Sequence, residues 1–134
     1  MRIHHLGVIC SDLASSVKKY EDLGFQVSKE LLTDVGRNLD YIFISNGNYV
    51  FELIAKHEQS KKSDIDLLIG GSKLPGDYIY HTCYETDDLS RDIEKFKLQG
   101  YRLVKPPQSA VACEGRKIAF LIHIDFGLIE FIEI

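Results

Sequence analysis

The chain writes one pattern twice, and this repeat limits what it can fold into more than any other feature. "HHLGVICSDLASSVKKYEDLGF", from His4 to Phe25, aligns without a gap on "YHTCYETDDLSRDIEKFKLQGY", from Tyr80 to Tyr101, at an offset of 76 residues. His5 falls on His81, Asp12 on Asp88, Leu13 on Leu89, Val17 on Ile93, Tyr20 on Phe96, Gly24 on Gly100 and Phe25 on Tyr101. The ends of the two halves match at an offset of 78: "YIFISNGNYVFELI" (Tyr41 to Ile54) lies over "AFLIHIDFGLIEFI" (Ala119 to Ile132), with Glu52 on Glu130. A slip of two residues across the intervening loops is small. The chain is two copies of one module.

The pattern within a copy gives its elements. Ile3 to Cys10 is a short β-rich run, and Ser11-Asp12 supplies side-chain acceptors for the free amides of a helix start. Leu13, Val17 and Tyr20 recur at i, i+4 and i+7, which is one apolar stripe on an amphipathic helix. Gly24 stands where the helix end needs a left-handed residue. The second copy repeats this with Thr86 to Asp88 as the start, Leu89, Ile93 and Phe96 as the stripe, and Gly100 as the stop. Three strand-like runs follow each helix, near Gln26–Leu32, Leu39–Ser45 and Tyr49–Ile54, then near Arg102–Lys105, Lys117–His123 and Leu128–Ile134. Asn46-Gly47-Asn48, Pro106-Pro107 and Glu114-Gly115 read as loops.

Each module is therefore β-α-β-β-β, and the fold class is α+β. The first module covers about residues 1–55 and the second about 78–134 of one 134-residue domain. A linker at about 56–77 joins them and carries a short helical patch at Ile65–Ile69.

Charge and composition narrow the partners. A formal charge of −4 supplies no basic field for a phosphate backbone, which argues against nucleic acid. No apolar run approaches the ~20 residues of a membrane span. The opening Met1-Arg2-Ile3-His4-His5 has no apolar signal core, so the expected location is cytoplasmic. Cys10, Cys83 and Cys113 are odd in number and form no Cys-x-x-Cys pair, which reads as reduced thiols, with Cys10 and Cys83 as small buried hydrophobes.

Strand parity then gathers four polar side chains. Alternate strand residues face opposite ways, so His5 shares a face with Gly7 and Ile9, and Glu52 with Val50 and Ile54. His81 goes with Cys83, and Glu130 with Leu128 and Ile132, while Ile129 and Phe131 point oppositely, toward the helix. A carboxylate among apolar neighbours is costly unless paired or metal-bound. Singly, a strand His is ordinarily a satisfied core residue and a strand Glu ordinarily faces water. At matched positions in a duplicated module, two imidazoles and two carboxylates point to a divalent transition ion. His4, His57 and His123 lack this symmetry and read as structural or solvent-facing.

Paired βαβββ modules with this His…Glu…His…Glu order resemble the vicinal oxygen chelate superfamily across essentially the whole chain. "VFELIA", "YHTCYETDDL" and "GRKIAFL…GLIEFIE" look like the ligand strands and closing strands of short bacterial glyoxalase I enzymes and methylmalonyl-CoA epimerases. The resemblance implies an incomplete eight-stranded barrel around a metal site. It implies one divalent ion, nickel or cobalt before zinc or manganese, held by His5, Glu52, His81 and Glu130, with two positions open to water or substrate. It also implies a homodimer, and a small-molecule thiol adduct or an acyl-CoA as substrate.

The expected activity is glyoxalase I-like lyase chemistry on a glutathione hemithioacetal, with methylmalonyl-CoA epimerase as the alternative. Glu130 is then the expected base and Glu52 its symmetry-related partner. A non-catalytic drug-binding resistance protein and an extradiol dioxygenase fit less well, the first because all four ligands are present.

Two departures favour the lyase. Epimerases usually carry a separate glutamate base before the third strand, where this chain has Val35-Gly36 flanked by Asp34 and Arg37. Epimerases also often show His-Pro-Lys where this chain has Ile122-His123-Ile124. Against it, no residue pins down glutathione. Arg37, Arg116 and Lys117 read as solvated charges that could meet a carboxylate or phosphate at the cavity mouth.

Overall fold

The computed structural model describes residues 1–69 and 76–134, with only the backbone described over 67–69; residues 70–75 of the expected linker lie outside the described residues. The element order is β1 (Ile3–Ile9), α1 (Leu13–Asp22), β2 (Gln26–Asp34), β3 (Leu39–Ser45), β4 (Val50–Lys56), α2 (Asp64–Ile69), β5 (Tyr78–Thr86), α3 (Leu89–Lys97), β6 (Arg102–Ser109), β7 (Lys117–His123) and β8 (Gly127–Glu133). A 3-10 turn lies at Val111–Cys113. Eight strands with helices between them bear out the α+β class. Among the described residues no helix is long and apolar enough to cross a membrane.

Two compact units result, one spanning Gly7–Ile79 and the other Met1–Leu6 with Tyr80–Ile134. In the Gly7–Ile79 unit the strand order is β2-β3-β4-β1. The helix stripe Leu13, Val17 and Tyr20 packs on Val8, Phe25, Ile44 and Leu53, with Phe51 alongside. In the other unit the order is β1-β5-β8-β7-β6, with β5 and β8 parallel and β8, β7 and β6 antiparallel. Its helix presents Leu89, Ile93 and Phe96 to Ala119, Leu121, Ile129 and Phe131. Both helices therefore bury the stripes read from their periodicity, against the β4 and β8 residues expected to face them.

The repeat extends to single atoms. Asp12 caps α1 by accepting from the Ser15 amide at 2.8 Å, and Asp88 caps α3 by accepting from the Arg91 amide at 2.9 Å. Gly24 and Gly100 end these helices at φ +89° and +92°. The two glycines differ in surroundings. A Cβ on Gly100 would meet His123 Nε2 at 3.2 Å, whereas one on Gly24 would meet nothing within 4 Å. Gly24→Ala is therefore expected to cost about 1–2 kcal/mol from the left-handed backbone alone, and Gly100→Ala more. Urea unfolding of the two variants measures the difference.

Several strand boundaries correct the sequence reading, β4 among them, which runs past Ile54 to Lys56. Pro106-Pro107, read as a loop breaker, lies inside β6, which runs on to Ser109. The strand tolerates the prolines because β6 has a neighbour on one side only and its pairing with β7 is shifted between Lys105 and Gln108. β2 likewise runs two residues past Leu32, to Asp34, with matching register shifts against β3.

All three cysteines are free and buried. Burial pushes the Cys10 thiol up to about 12, and a hydrogen bond involving Ser16 opposes this only in part. Thiolate is the reactive form, so the native protein is expected to resist iodoacetamide at pH 8. All three thiols should react after unfolding, as read by mass spectrometry.

Candidate metal centre

β1 delivers His5 and β5 delivers His81, each with its ring turned inward, and both are buried. β8 brings in Glu130, which is 3% exposed and lies beside Cys83 in the parallel β5–β8 ladder. The alternation that turns Ile129 and Phe131 to the helix turns Glu130 and Ile132 the other way, as strand parity requires. The counterpart Glu52 occupies the same place on β4 of the Gly7–Ile79 unit and is likewise buried. Each glutamate is paired across its strand with a phenylalanine, Glu52 with Phe43 and Glu130 with Phe120.

Three of the four expected ligands converge within one unit. His5 Nε2 lies 3.2 Å from His81 Nε2 and 3.2 Å from Glu130 Oε2, and His81 Nε2 lies 3.1 Å from the same oxygen. Although two ring nitrogens stand this close, Glu130 Oε2 makes no well-formed hydrogen bond. Donor lone pairs aimed at a common point produce that geometry. Donors about 2.1 Å from one ion lie about 3.0 Å apart at right angles and about 3.4 Å apart at tetrahedral angles. The observed edges fall between these values, so the donor set fits a divalent first-row ion.

Charge at the cluster is finely opposed. Burial pushes the Glu130 carboxyl upward, but the neighbouring His81 and His5 rings outweigh it and hold the group well below the usual carboxylate range. A depressed folded value contributes stability above the unfolded value of about 4.3 and loses it as pH falls through the folded value. The metal-free protein should therefore lose stability below about pH 4.3, with a shallower acid slope in Glu130→Gln, as circular dichroism against pH would show.

The other histidines separate by environment. His57 Nδ1 lies 3.0 Å from Asp40 at the surface, and His123 stacks near Tyr101 with ring centroids 5.0 Å apart. His4 had no place in the symmetric reading, yet its Nδ1 lies 2.8 Å from His5 Nδ1. Burial lowers the His4 imidazole below its ordinary value, and the adjoining His5 adds to this. Two adjacent histidines were the only sequence sign of this contact, and strand alternation argued against it.

The charged candidates find partners or solvent. Asp34 accepts from the Arg37 amide at 3.1 Å and from its guanidinium at 3.0 Å. Val35 is 80% exposed. Arg37 also lines an open cleft of about 390 Å³ with Gly36, Lys62, Ser63 and Asp64. Arg116 and Lys117 are exposed, with Arg116 3.4 Å from Glu114.

Comparison with known proteins places these observations. A family model for the glyoxalase/bleomycin resistance protein/dioxygenase superfamily matches residues 4–120. The ethylmalonyl-CoA/methylmalonyl-CoA epimerase of Cereibacter sphaeroides is 26% identical over 127 residues, covering 94% of this chain and 91% of that protein. A hypothetical protein from Bacillus halodurans shares the fold with a TM-score of 0.82 at 19% identity, over 99% of this chain and 94% of that one. Methylmalonyl-CoA epimerase from Mycobacterium tuberculosis shares it with a TM-score of 0.76 at 22% identity, over 98% of this chain and 86% of that one. With the family model spanning most of both modules, this chain belongs to the glyoxalase/bleomycin resistance protein/dioxygenase superfamily.

Proposed function

We propose that this protein is a metal-dependent acyl-CoA epimerase that moves the proton on the carbon next to a thioester carbonyl, with methylmalonyl-CoA or a close 2-substituted analogue as substrate. The observation that carries the chemistry is the convergence of His5 Nε2, His81 Nε2 and Glu130 Oε2 at 3.1–3.2 Å in a buried setting. The substrate class is supported by the Cereibacter sphaeroides relative. Sequence reading put lactoylglutathione lyase first; the named relative favours what it held as the alternative.

His5, His81 and Glu130 are the proposed ligands, with Glu52 added as the counterpart of Glu130 in the repeat. When bound, a divalent ion supplies Lewis acidity that stabilises the negative charge left by removal of the neighbouring proton. Glu130 is ionised at neutral pH, because the neighbouring His81 and His5 rings hold its carboxyl below the usual carboxylate range, and can accept that proton. Inversion at carbon needs a second proton carrier on the opposite face. Asp34 is already held by Arg37, and Asp92 accepts from Thr86. Glu52, buried and the counterpart of Glu130 in the repeat, is the carboxylate we assign to this role.

The donor set of two imidazoles and carboxylate suits cobalt, nickel, zinc or manganese alike. Ligation requires neutral imidazoles, so bound metal is expected to be lost on acidification. Equilibrium dialysis across pH 5–8 reads this loss.

Two sequence departures favour the lyase as a second reading: no glutamate stands at Val35-Gly36, and Ile122-His123-Ile124 stands where epimerases often show His-Pro-Lys. The test uses protein stripped with chelator and reloaded separately with each of the four metals. In deuterated water, loaded protein is expected to exchange the C2 proton of methylmalonyl-CoA and stripped protein is not. No exchange with any metal, alongside isomerisation of the methylglyoxal–glutathione hemithioacetal, would move the assignment to the lyase.

A further inference from the structure

We infer that His4 is a positioning residue for the proposed metal centre: its Nδ1 accepts the Nδ1–H of His5 and so fixes the His5 tautomer whose Nε2 carries the lone pair. The inference rests on the reading of His5, His81 and Glu130 as ligands. A neutral imidazole carries one N–H, on one nitrogen or the other. His5 Nε2 lies 3.2 Å from both His81 Nε2 and Glu130 Oε2, so it ligates only if the proton sits on Nδ1. That nitrogen lies 2.8 Å from His4 Nδ1, a distance that holds one proton and not two. His4 Nδ1 is then the acceptor, and the His4 proton sits on its own Nε2.

Burial and ring geometry strengthen the assignment. His5 is 0% exposed, so solvent has no route to replace His4 as acceptor. The two rings meet edge to face at 75° with centroids 5.1 Å apart, which also limits rotation of the His5 ring about its Cβ–Cγ bond. A ligating histidine generally donates its other N–H to an oriented acceptor, and loss of such a partner typically weakens metal binding. Here a neighbour in sequence supplies that acceptor. Parity sends the His4 and His5 Cβ atoms to opposite faces, but Nδ1 is adjacent to Cγ, so the inner edges of consecutive rings can still meet.

A competing arrangement is visible in the same residues. His4, His5 and Cys83 place ligand atoms within 4.8 Å of one another. A second ion there that took both Nδ1 atoms as ligands would leave no N–H between them.

The test uses the full chain loaded with zinc, which is diamagnetic. His4→Leu removes the acceptor. His4→Asn restores one, because its Oδ1 can occupy the place of Nδ1. In chelator competition, His4→Leu is expected to weaken zinc binding about 10–100-fold and His4→Asn to recover most of the loss. In nitrogen NMR spectra of the wild type, His5 should be protonated at Nδ1, with a scalar coupling across the hydrogen bond to His4 Nδ1. Folding of each variant is checked by circular dichroism. Wild-type zinc affinity in His4→Leu, an unprotonated His5 Nδ1, or two zinc ions per chain would each overturn the inference. A wild type that binds no zinc would instead overturn the metal reading beneath it.

Discussion

Glu130→Gln is expected to lower metal-dependent proton exchange at C2 of methylmalonyl-CoA by about 10²–10⁴-fold, the usual contribution of a positioned general base. The change is nearly isosteric, so the packing of Phe120 across the strand and of Cys83 along β5 is retained. Two things are lost at once. The amide cannot accept the substrate proton, and its oxygen is a weaker donor beside His5 and His81 than a carboxylate. Measuring exchange at saturating metal separates them: affinity recovers with excess metal, and the lost base does not. An exchange rate within threefold of wild type under saturation would remove Glu130 from the role of base. Glu52→Gln under the same conditions tests the second carrier, and is expected to slow inversion more than exchange, because one face remains served.

The largest expected loss of stability lies at Phe131. Its side chain is 0% exposed and packs among Leu89, Ile93, Ala119, Leu121 and Ile129, with the Phe96 ring centroid 4.9 Å away. Truncation removes the ring from the seam between α3 and the β8–β7 strands, and Leu89 and Ile93 are held by their helix and cannot collapse into the space. Phe131→Ala is expected to cost about 3–5 kcal/mol. That is a large part of the about 5–15 kcal/mol that holds a typical domain together. Urea denaturation is the measurement, and a loss under 1 kcal/mol would mean the seam repacks. Phe131 and Glu130 are sequence neighbours on opposite faces of one strand. One therefore tests the packing behind the site and the other its chemistry.

The legibility of this chain follows from the duplication. A single cap or glycine is weak evidence, but Asp12 with Asp88, and Gly24 with Gly100, recur at one offset, and each pair performs the same backbone task in the structure. Strand parity placed Phe51 and Leu53, and likewise Ile129 and Phe131, toward their helices. It also brought His5, His81 and Glu130 onto one buried cluster. What parity could not supply was the His4–His5 contact, which depends on ring torsions and not on the direction of Cβ. The extension of β6 through Pro106-Pro107 was hidden for another reason. Proline punctuates a chain reliably only where its missing N–H would have been needed, and a strand with one neighbour has N–H groups to spare. The Asp34–Arg37 pair was visible as two charges, but the hydrogen bonds that engage the carboxylate come from the tight turn between β2 and β3.

Metal stoichiometry in the stripped and reloaded protein tests the central claim most directly. Calorimetric titration of the chelator-treated chain with cobalt at pH 7.5, repeated on His81→Ala, needs no assumption about substrate. The account predicts about one ion per chain for the wild type and binding weakened at least ~100-fold in the variant, whose lost imidazole is one of the converging donors. Failure of the wild type to bind, or binding of equal strength in His81→Ala, would contradict it.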